Sequence, residues 1–378
     1  MKIGIDCRLW GQTGVGRYVR NLVENLAEID DKNEYVLFVR SEDEDGVKSE
    51  IRNLKFEKSF KITIADVKWH SAAEQFKFPK ILNVERLDLM HFTYFSIPMF
   101  YKGPFVVTVH DLIVNNFSTG RASTLPYPIF FAKKLGYLAV MSRAIHNART
   151  IIVPSEAVRT NVIRTYRNLD GSKIKVTYEG GFGENIKDQK SNIKNQELGN
   201  RYILRVGNFY PHKNVERLLA AFRDLLLQDA GENLKLVMVG KKDFFHARIQ
   251  NEIKALNIES SVMLLENVED DELHSLYKHA AATVIPSLAE GFSLTAVEAM
   301  SAGSLVVASD IPVHREVCGE AALYFNPEDT NEITQKLNFA LSLTQSSKKE
   351  FLEAAQKQSQ KFSWRKMADE TLKVYESV

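Results

Sequence analysis

Short apolar runs rich in β-branched residues recur along this chain, and most are followed by a helical pattern. Lys2–Asp6, Tyr35–Val39, Ile62–Ile64, Leu87–Phe92, Pro104–Val109, Thr150–Val153 and Ile174–Val176 read as strands in the first half. Tyr202–Val206, Leu234–Val239, Val262–Leu265, Ala281–Ile285 and Ser304–Ala308 do so in the second. The run through Val106-Val107-Thr108-Val109 is apolar throughout, as a central parallel strand buried on both faces must be. Strand–helix alternation in both halves restricts the chain to doubly wound α/β sheets. Its 378 residues suffice for two such domains. The expected division is 1–180 and 181–362, with the Gly cluster Glu179–Gly183 and the polar 187–199 stretch as a hinged linker.

Several classes drop out. The two cysteines, Cys7 and Cys318, lack metal-ligand spacing, so neither a disulfide framework nor a structural zinc is expected, and a reducing cytoplasm is the default. The first apolar run is cut short at Asp6, which marks a strand and not a signal peptide. No run approaches the length of a membrane span. Net charge is +1, and no nucleic-acid partner is expected. Residues 1–180 have 26 Lys and Arg against 20 Asp and Glu, or +6; the remainder has 23 against 28, or −5. A basic first half suits an anionic partner, either phospholipid headgroups or a pyrophosphate-linked acceptor. The helical stretch Pro126–Arg149 mixes Lys133, Lys134 and Arg143 with Phe130, Phe131 and Leu135. Such a helix can lie on a membrane surface, although core packing explains most stripes of this kind.

The residues able to do chemistry cluster at strand ends. Ala281–Ile285 leads into Pro286-Ser-Leu-Ala-Glu290-Gly291-Phe292-Ser293-Leu294, then a helix through Glu298 to Met300, stopped by Ser301-Ala-Gly303. A helix start offers free N–H groups to a phosphate, and two carboxylates beside it suit sugar hydroxyls. In the first half, Gly11-Gln-Thr-Gly14-Val-Gly16-Arg17 follows the first strand. It lacks the third glycine of a dinucleotide fingerprint but still permits close approach of an anion. His110 ends a central strand, where open α/β sheets bind ligands. His91 reads as structural. In the second half, Lys213 sits at a strand-to-helix junction, Gly240-Lys241 follows a strand, and Val268 lies in the loop after the next one.

Glu290-Gly-Phe, four residues, then Val-Glu298-Ala-Met resembles the donor-site signature of the retaining glycosyltransferases of family 4. The likeness covers both halves in order. It implies a GT-B fold, in which two Rossmann-like doubly wound domains face a central cleft and the C-terminal helix, 363–378, returns to the first domain. It implies transfer of a sugar from a nucleotide donor to a hydroxyl, with retention at the anomeric carbon. His110, Lys213 and Glu290 would be catalytic. Gly14, Gly16, Asn208, Gly240, Lys241, Val268, Gly291, Phe292, Ser293, Leu294 and Glu298 would bind the donor. Asn208 stands where the family usually has Arg, and Arg205 on the preceding strand is not counted as its replacement. No Asp-x-Asp lies at a candidate strand end, so no metal and no cofactor are expected.

Thr-Gly14-Val-Gly16-Arg and His212-Lys-Asn resemble bacterial mannosyltransferases of polysaccharide assembly. GDP-mannose is the first choice of donor and a UDP-sugar the second. The acceptor would be a saccharide or a polyprenyl-linked one, and the protein cytoplasmic, with peripheral contact at the inner face of the membrane. Two other classes stay open. An NAD-dependent oxidoreductase would need the complete Gly fingerprint. A non-catalytic sugar-nucleotide-binding protein is favoured only by Asn208.

Overall fold

The computed structural model describes residues 1–12, 14–52, 54–116, 127–182, 201–228 and 233–378. Gly183, most of the expected linker and Pro126 lie outside the described residues. The chain divides into two compact units, Met1–Glu179 with Ser363–Val378, and Gly180–Phe362.

The first unit holds a seven-stranded sheet of order β3-β2-β1-β4-β5-β6-β7. Its strands are β1 Lys2–Asp6, β2 Glu34–Val39, β3 Phe60–Ile64, β4 Leu89–Phe92, β5 Phe105–Thr108, β6 Thr150–Val153 and β7 Ile174–Val176. The second unit has a six-stranded sheet of order β10-β9-β8-β11-β12-β13. These are β8 Arg201–Val206, β9 Leu234–Val239, β10 Val262–Leu265, β11 Ala282–Ile285, β12 Val306–Ser309 and β13 Ala322–Phe325. All recorded pairs are parallel, with Ile5 opposite Leu37 and His91, and Ile285 opposite Ala308. Each strand order reverses beside its first strand, β1 or β8, which is where doubly wound sheets open a crevice at the strand carboxyl ends. Strand β13 is an element that the sequence reading lacked. Among the described residues no helix is long and apolar enough to cross a membrane.

Local signals explain the helix starts. Ser155 accepts from the Val158 N–H at 3.1 Å, the N-cap that its position predicts. Ser363 likewise caps the helix Trp364–Glu376, which packs on the helix Gly14–Ile29 of the same unit. Gly16 is needed for that second helix to seat. A Cβ there would lie 2.4 Å from the carbonyl oxygen of Trp10 and 2.9 Å from that of Leu9. Gly14, by contrast, faces open space.

His91 ties the last helix to the sheet. It is fully buried, with Nδ1 2.6 Å from the Tyr375 hydroxyl and Nε2 2.8 Å from Thr108 Oγ1. Burial, helped by the nearby His110, holds its pKa down to about 3. The ring therefore stays neutral in the fold, while in the unfolded chain it takes a proton near pH ~6.5. Its contribution is complete above that pH and is lost as pH falls toward 3. At pH ~5 the loss is about 2 kcal/mol, or a Tm lower by about 4–8 °C. His91→Gln should flatten the dependence of Tm on pH between ~7.5 and ~5 by that amount. An unchanged slope in scanning calorimetry would refute the assignment.

Candidate functional site

In the second unit, three strand ends deliver one constellation. After β8, the turn Pro211–Lys213 leads into the helix Val215–Leu226 through Asn214, which adopts the left-handed conformation at φ 57°. The Asn214 amide donates to the carbonyls of Pro286 at 3.0 Å and Pro327 at 2.7 Å. The Leu288 N–H donates to the His212 carbonyl at 2.8 Å. These bonds clamp the Lys213 turn to the loop after β11. Across that clamp, Lys213 Nζ lies 2.7 Å from both carboxylate oxygens of Glu290. Ser287 donates a third bond to Glu290 at 2.6 Å.

Burial alone would raise the Glu290 carboxyl, but the Lys213 charge, His314 and the donated hydrogen bonds outweigh it and hold the pKa at about 2. His212 is pushed down to about 4 by burial and by the Lys213 charge. At neutral pH Glu290 is thus ionised beside Lys213, and His212 is neutral.

The helix Leu294–Ser301 starts beside this pair. Its N-cap, Ser293, is buried with φ 87°, and its hydroxyl has no hydrogen-bond partner among the described residues. Gly291 and Phe292 form the entrance, with the Phe292 ring 5.5 Å from that of Phe362. One turn inside, Glu298 is buried and accepts from the Tyr277 hydroxyl at 2.9 Å. Gly240 follows β9 against this loop system: a Cβ there would meet the Phe209 ring at 2.6 Å and the Gly207 carbonyl at 2.7 Å. Lys241 is exposed just beyond it, and Val268 is half-buried after β10.

In the first unit, His110 follows β5. Its Nε2 faces the Thr93 carbonyl at 3.0 Å and its Nδ1 faces Glu179 at 3.2 Å. Both ring nitrogens thus face oxygen atoms, which fixes the plane of the imidazole. Tyr18 packs edge-on against the imidazole at 4.8 Å between centroids, and Tyr94 stacks at 6.4 Å. Behind them the Tyr18 hydroxyl bonds Thr108, which bonds His91. A continuous buried network fixes the His110 ring from beneath.

Residues 12–180 match the family model described as Glycosyltransferase Family 4, and residues 186–358 match that of Glycosyl transferases group 1. The chain belongs to glycosyltransferase family 4. O-antigen chain mannosyltransferase RfbU of Salmonella typhimurium is 30% identical to this family 4 chain over 237 residues, covering 63% of this chain and 60% of the relative. O-antigen chain mannosyltransferase B of Escherichia coli is 28% identical over 245 residues, covering 62% and 63%. The chain thus matches about three fifths of the length of these curated relatives. Among solved structures, Anabaena HepE in complex with UDP and glucose superposes with a TM-score of 0.76 over the whole of both chains, at 17% identity. The fold of the family 4 chain is GT-B.

Of the residues singled out in the sequence, the structure joins Lys213 to Glu290 and places Gly291, Phe292, Ser293 and Leu294 at one helix start. Gly14, Gly16 and His110 belong to the other unit. Four participants were not anticipated: Ser287 and Tyr277, which bond the two glutamates; Glu179, which was assigned to the linker; and Arg205. The small polar residue three positions before Glu290 was a readable signal for Ser287. The Tyr277 and Glu179 pairings join distant parts of the chain and leave no local trace, whereas Arg205 turns onto carbonyls two and three residues ahead of it.

Proposed function

We propose that the protein transfers a sugar from a nucleotide donor to an acceptor hydroxyl, with GDP-mannose the first candidate donor and a UDP-sugar the second. The Lys213–Glu290 pair beside the unpartnered Ser293 hydroxyl and a helix start carries this reading. In the reaction, the bond between the anomeric carbon and the diphosphate breaks, and the diphosphate leaves with the electron pair. The acceptor oxygen takes its place with retention and passes its proton to an oxygen of the departing diphosphate. Lys213 and the N–H groups at the 294–301 helix start meet the growing diphosphate charge. Glu290 holds the sugar, Glu298 the ribose, and His110 acts on the donor sugar. Mannose is favoured by the two O-antigen relatives, both titled mannosyltransferases.

A cavity of about 390 Å³ in the first unit supports an acceptor with an apolar part. Phe95, Met99, Tyr137 and Val140 wall it, with Lys133 at its edge. The neighbouring Phe76 and Phe100 stack with centroids 5.5 Å apart and are more than half exposed, as is Phe131. This supports a polyprenyl-linked acceptor and peripheral placement on the inner face of the cell membrane.

The test is thermal shift of the full chain with GDP, UDP, ADP and NAD. A ligand at ~100 times its Kd stabilises by about 2.7 kcal/mol, a shift of roughly 5–10 °C. A GDP-selective shift that is lost in Glu298→Ala is expected. A UDP-selective shift keeps the reaction and changes the donor. A response to NAD alone, or to no nucleoside diphosphate, overturns the reading.

A further inference from the structure

Arg205 sits on β8 with 1% of its surface exposed, the largest fully buried side chain of the protein. Its guanidinium donates Nη1 to the Gly207 carbonyl and Nη2 to the Asn208 carbonyl. It lies 5.1 Å from the centroid of the Phe209 ring. No carboxylate forms an ion pair with it among the described residues. The closest functional anion in its surroundings, Glu290, is already paired with Lys213 at 2.7 Å. Burial lowers the Arg205 pKa to about 10, which still leaves it charged at neutral pH. The Arg205 charge is therefore held in a desolvated place with no carboxylate of its own, since Glu290 is taken by Lys213 and Glu298 accepts from Tyr277. Retaining an uncompensated buried charge is unfavourable unless an anion completes the site.

The loop above Arg205 has a second feature. With the carbonyls of Gly207 and Asn208 drawn toward the guanidinium, no protein acceptor is recorded for the N–H groups of Asn208 and Phe209 among the described residues. Successive free N–H groups over a positive charge form an anion-binding concavity.

We infer that Arg205 is a positioning residue of the donor site, which holds the 207–208 carbonyls inward so that the loop N–H groups and the unpaired Arg205 charge beneath them act on the donor's diphosphate. This rests on the donor site proposed above. The charge is supplied from beneath the loop, so the neutral Asn208 on top of it does not leave Lys213 as the sole cation.

Calorimetric titration of the full chain with GDP and UDP, and with guanosine and uridine as phosphate-free controls, tests the inference at low and moderate salt. Arg205→Met is expected to weaken the preferred nucleoside diphosphate about 10–100-fold and to leave its nucleoside within about twofold. Adding Asn208→Arg to that variant should recover about tenfold or more by returning a cation to the loop. In the otherwise intact chain, Asn208→Arg alone should gain less than about threefold, because the charge is already present. This last variant keeps the test decisive if Arg205→Met fails to fold. Equal losses for nucleoside and diphosphate, no loss at all, or a gain of about tenfold from Asn208→Arg alone would each overturn the role of Arg205. If the unaltered chain binds no nucleoside diphosphate, the donor-site reading itself falls and the inference falls with it. If it binds one and ignores Arg205→Met, only the inference falls.

Discussion

Lys213→Ala is expected to lower kcat by about 10²–10³-fold, the loss of roughly 3–4 kcal/mol that follows removal of one preorganised group facing developing charge. Lys213 is preorganised by the turn that carries it, since Asn214 fastens that turn to Pro286 and Pro327. Its Nζ lies 2.7 Å from both Glu290 oxygens, which occupies two of its three N–H donors, and on the proposed function the third would meet a phosphate oxygen. The diphosphate gains charge as it leaves, so the ammonium stabilises the departing state more than the bound donor. KM for the donor should therefore rise less than kcat falls. A second consequence separates Lys213 from a bystander. Without it, Glu290 loses its principal counter-charge while remaining partly buried, and its carboxyl climbs from about 2. In the unaltered protein Glu290 stays ionised down to the acid range. In Lys213→Ala its protonation comes within reach of mild acid, so residual activity should fall as pH is lowered from ~7 to ~5. Initial-rate measurements with the donor identified by thermal shift decide the matter. A kcat within about threefold of the original protein, with an unchanged pH profile, sinks the assignment.

The parts of this site that were readable in the sequence are those fixed by local geometry. A strand followed by a Glu290-Gly-Phe loop that runs into a helix constrains where a phosphate could sit, because the N–H groups of a helix start point into that loop. The central strand β5 was readable because parallel strands buried on both faces need unbroken apolar runs. Strand β13 was not, since Glu320-Ala-Ala-Leu offers a helical alternative and the outer position of the strand relaxes the apolar requirement. The Tyr324 hydroxyl, bonded to the Gly319 carbonyl at 2.6 Å, settles that segment through a contact made after a turn. Arg205 defeated the reading for a different reason. A period of two places its Cβ on one face of the sheet, but its long stem carries the charge to the next loop. Glu179 was assigned to a hinge by its glycine neighbours. Its carboxylate is instead buried against His110, a partner far away along the chain. Gly16 has a packing role that its loop position did not announce: a Cβ there would meet the Leu9 and Trp10 carbonyls, so the helix could not seat.

Arg8→Leu is expected to destabilise the first unit by about 3–5 kcal/mol, the usual result of breaking a buried ion network from one side. Arg8 follows β1 and is 3% exposed. Its Nε and Nη2 grip Asp6 at 2.8 and 2.7 Å, and Nη2 also reaches Glu74 at 2.8 Å. The guanidinium lies 3.8 Å over the Phe78 ring. Glu74 is 1% exposed and takes further bonds from the Ser96 hydroxyl at 2.7 Å and the His70 N–H at 3.0 Å. One cation thus serves two buried carboxylates, and burial already holds the Glu74 carboxyl above its ordinary range despite Arg8. Taking Arg8 away raises it further. A carboxyl with a raised pKa binds more protons folded than unfolded, so the variant should regain stability as pH falls from ~8 to ~5. Urea unfolding at both pH values measures this. Arg8→Leu combined with Glu74→Leu should be less destabilised than Arg8→Leu alone, because apolar packing can replace a buried charge pair but not a lone buried charge. A loss below about 1 kcal/mol, or one indifferent to pH, would show that the carboxylates find other partners. The network bears on function because Glu74 and His70 both line the cavity read as the acceptor side. If the double variant folds yet the cavity no longer takes an acceptor, the ion network is retained there to shape that cavity and not to stabilise the sheet.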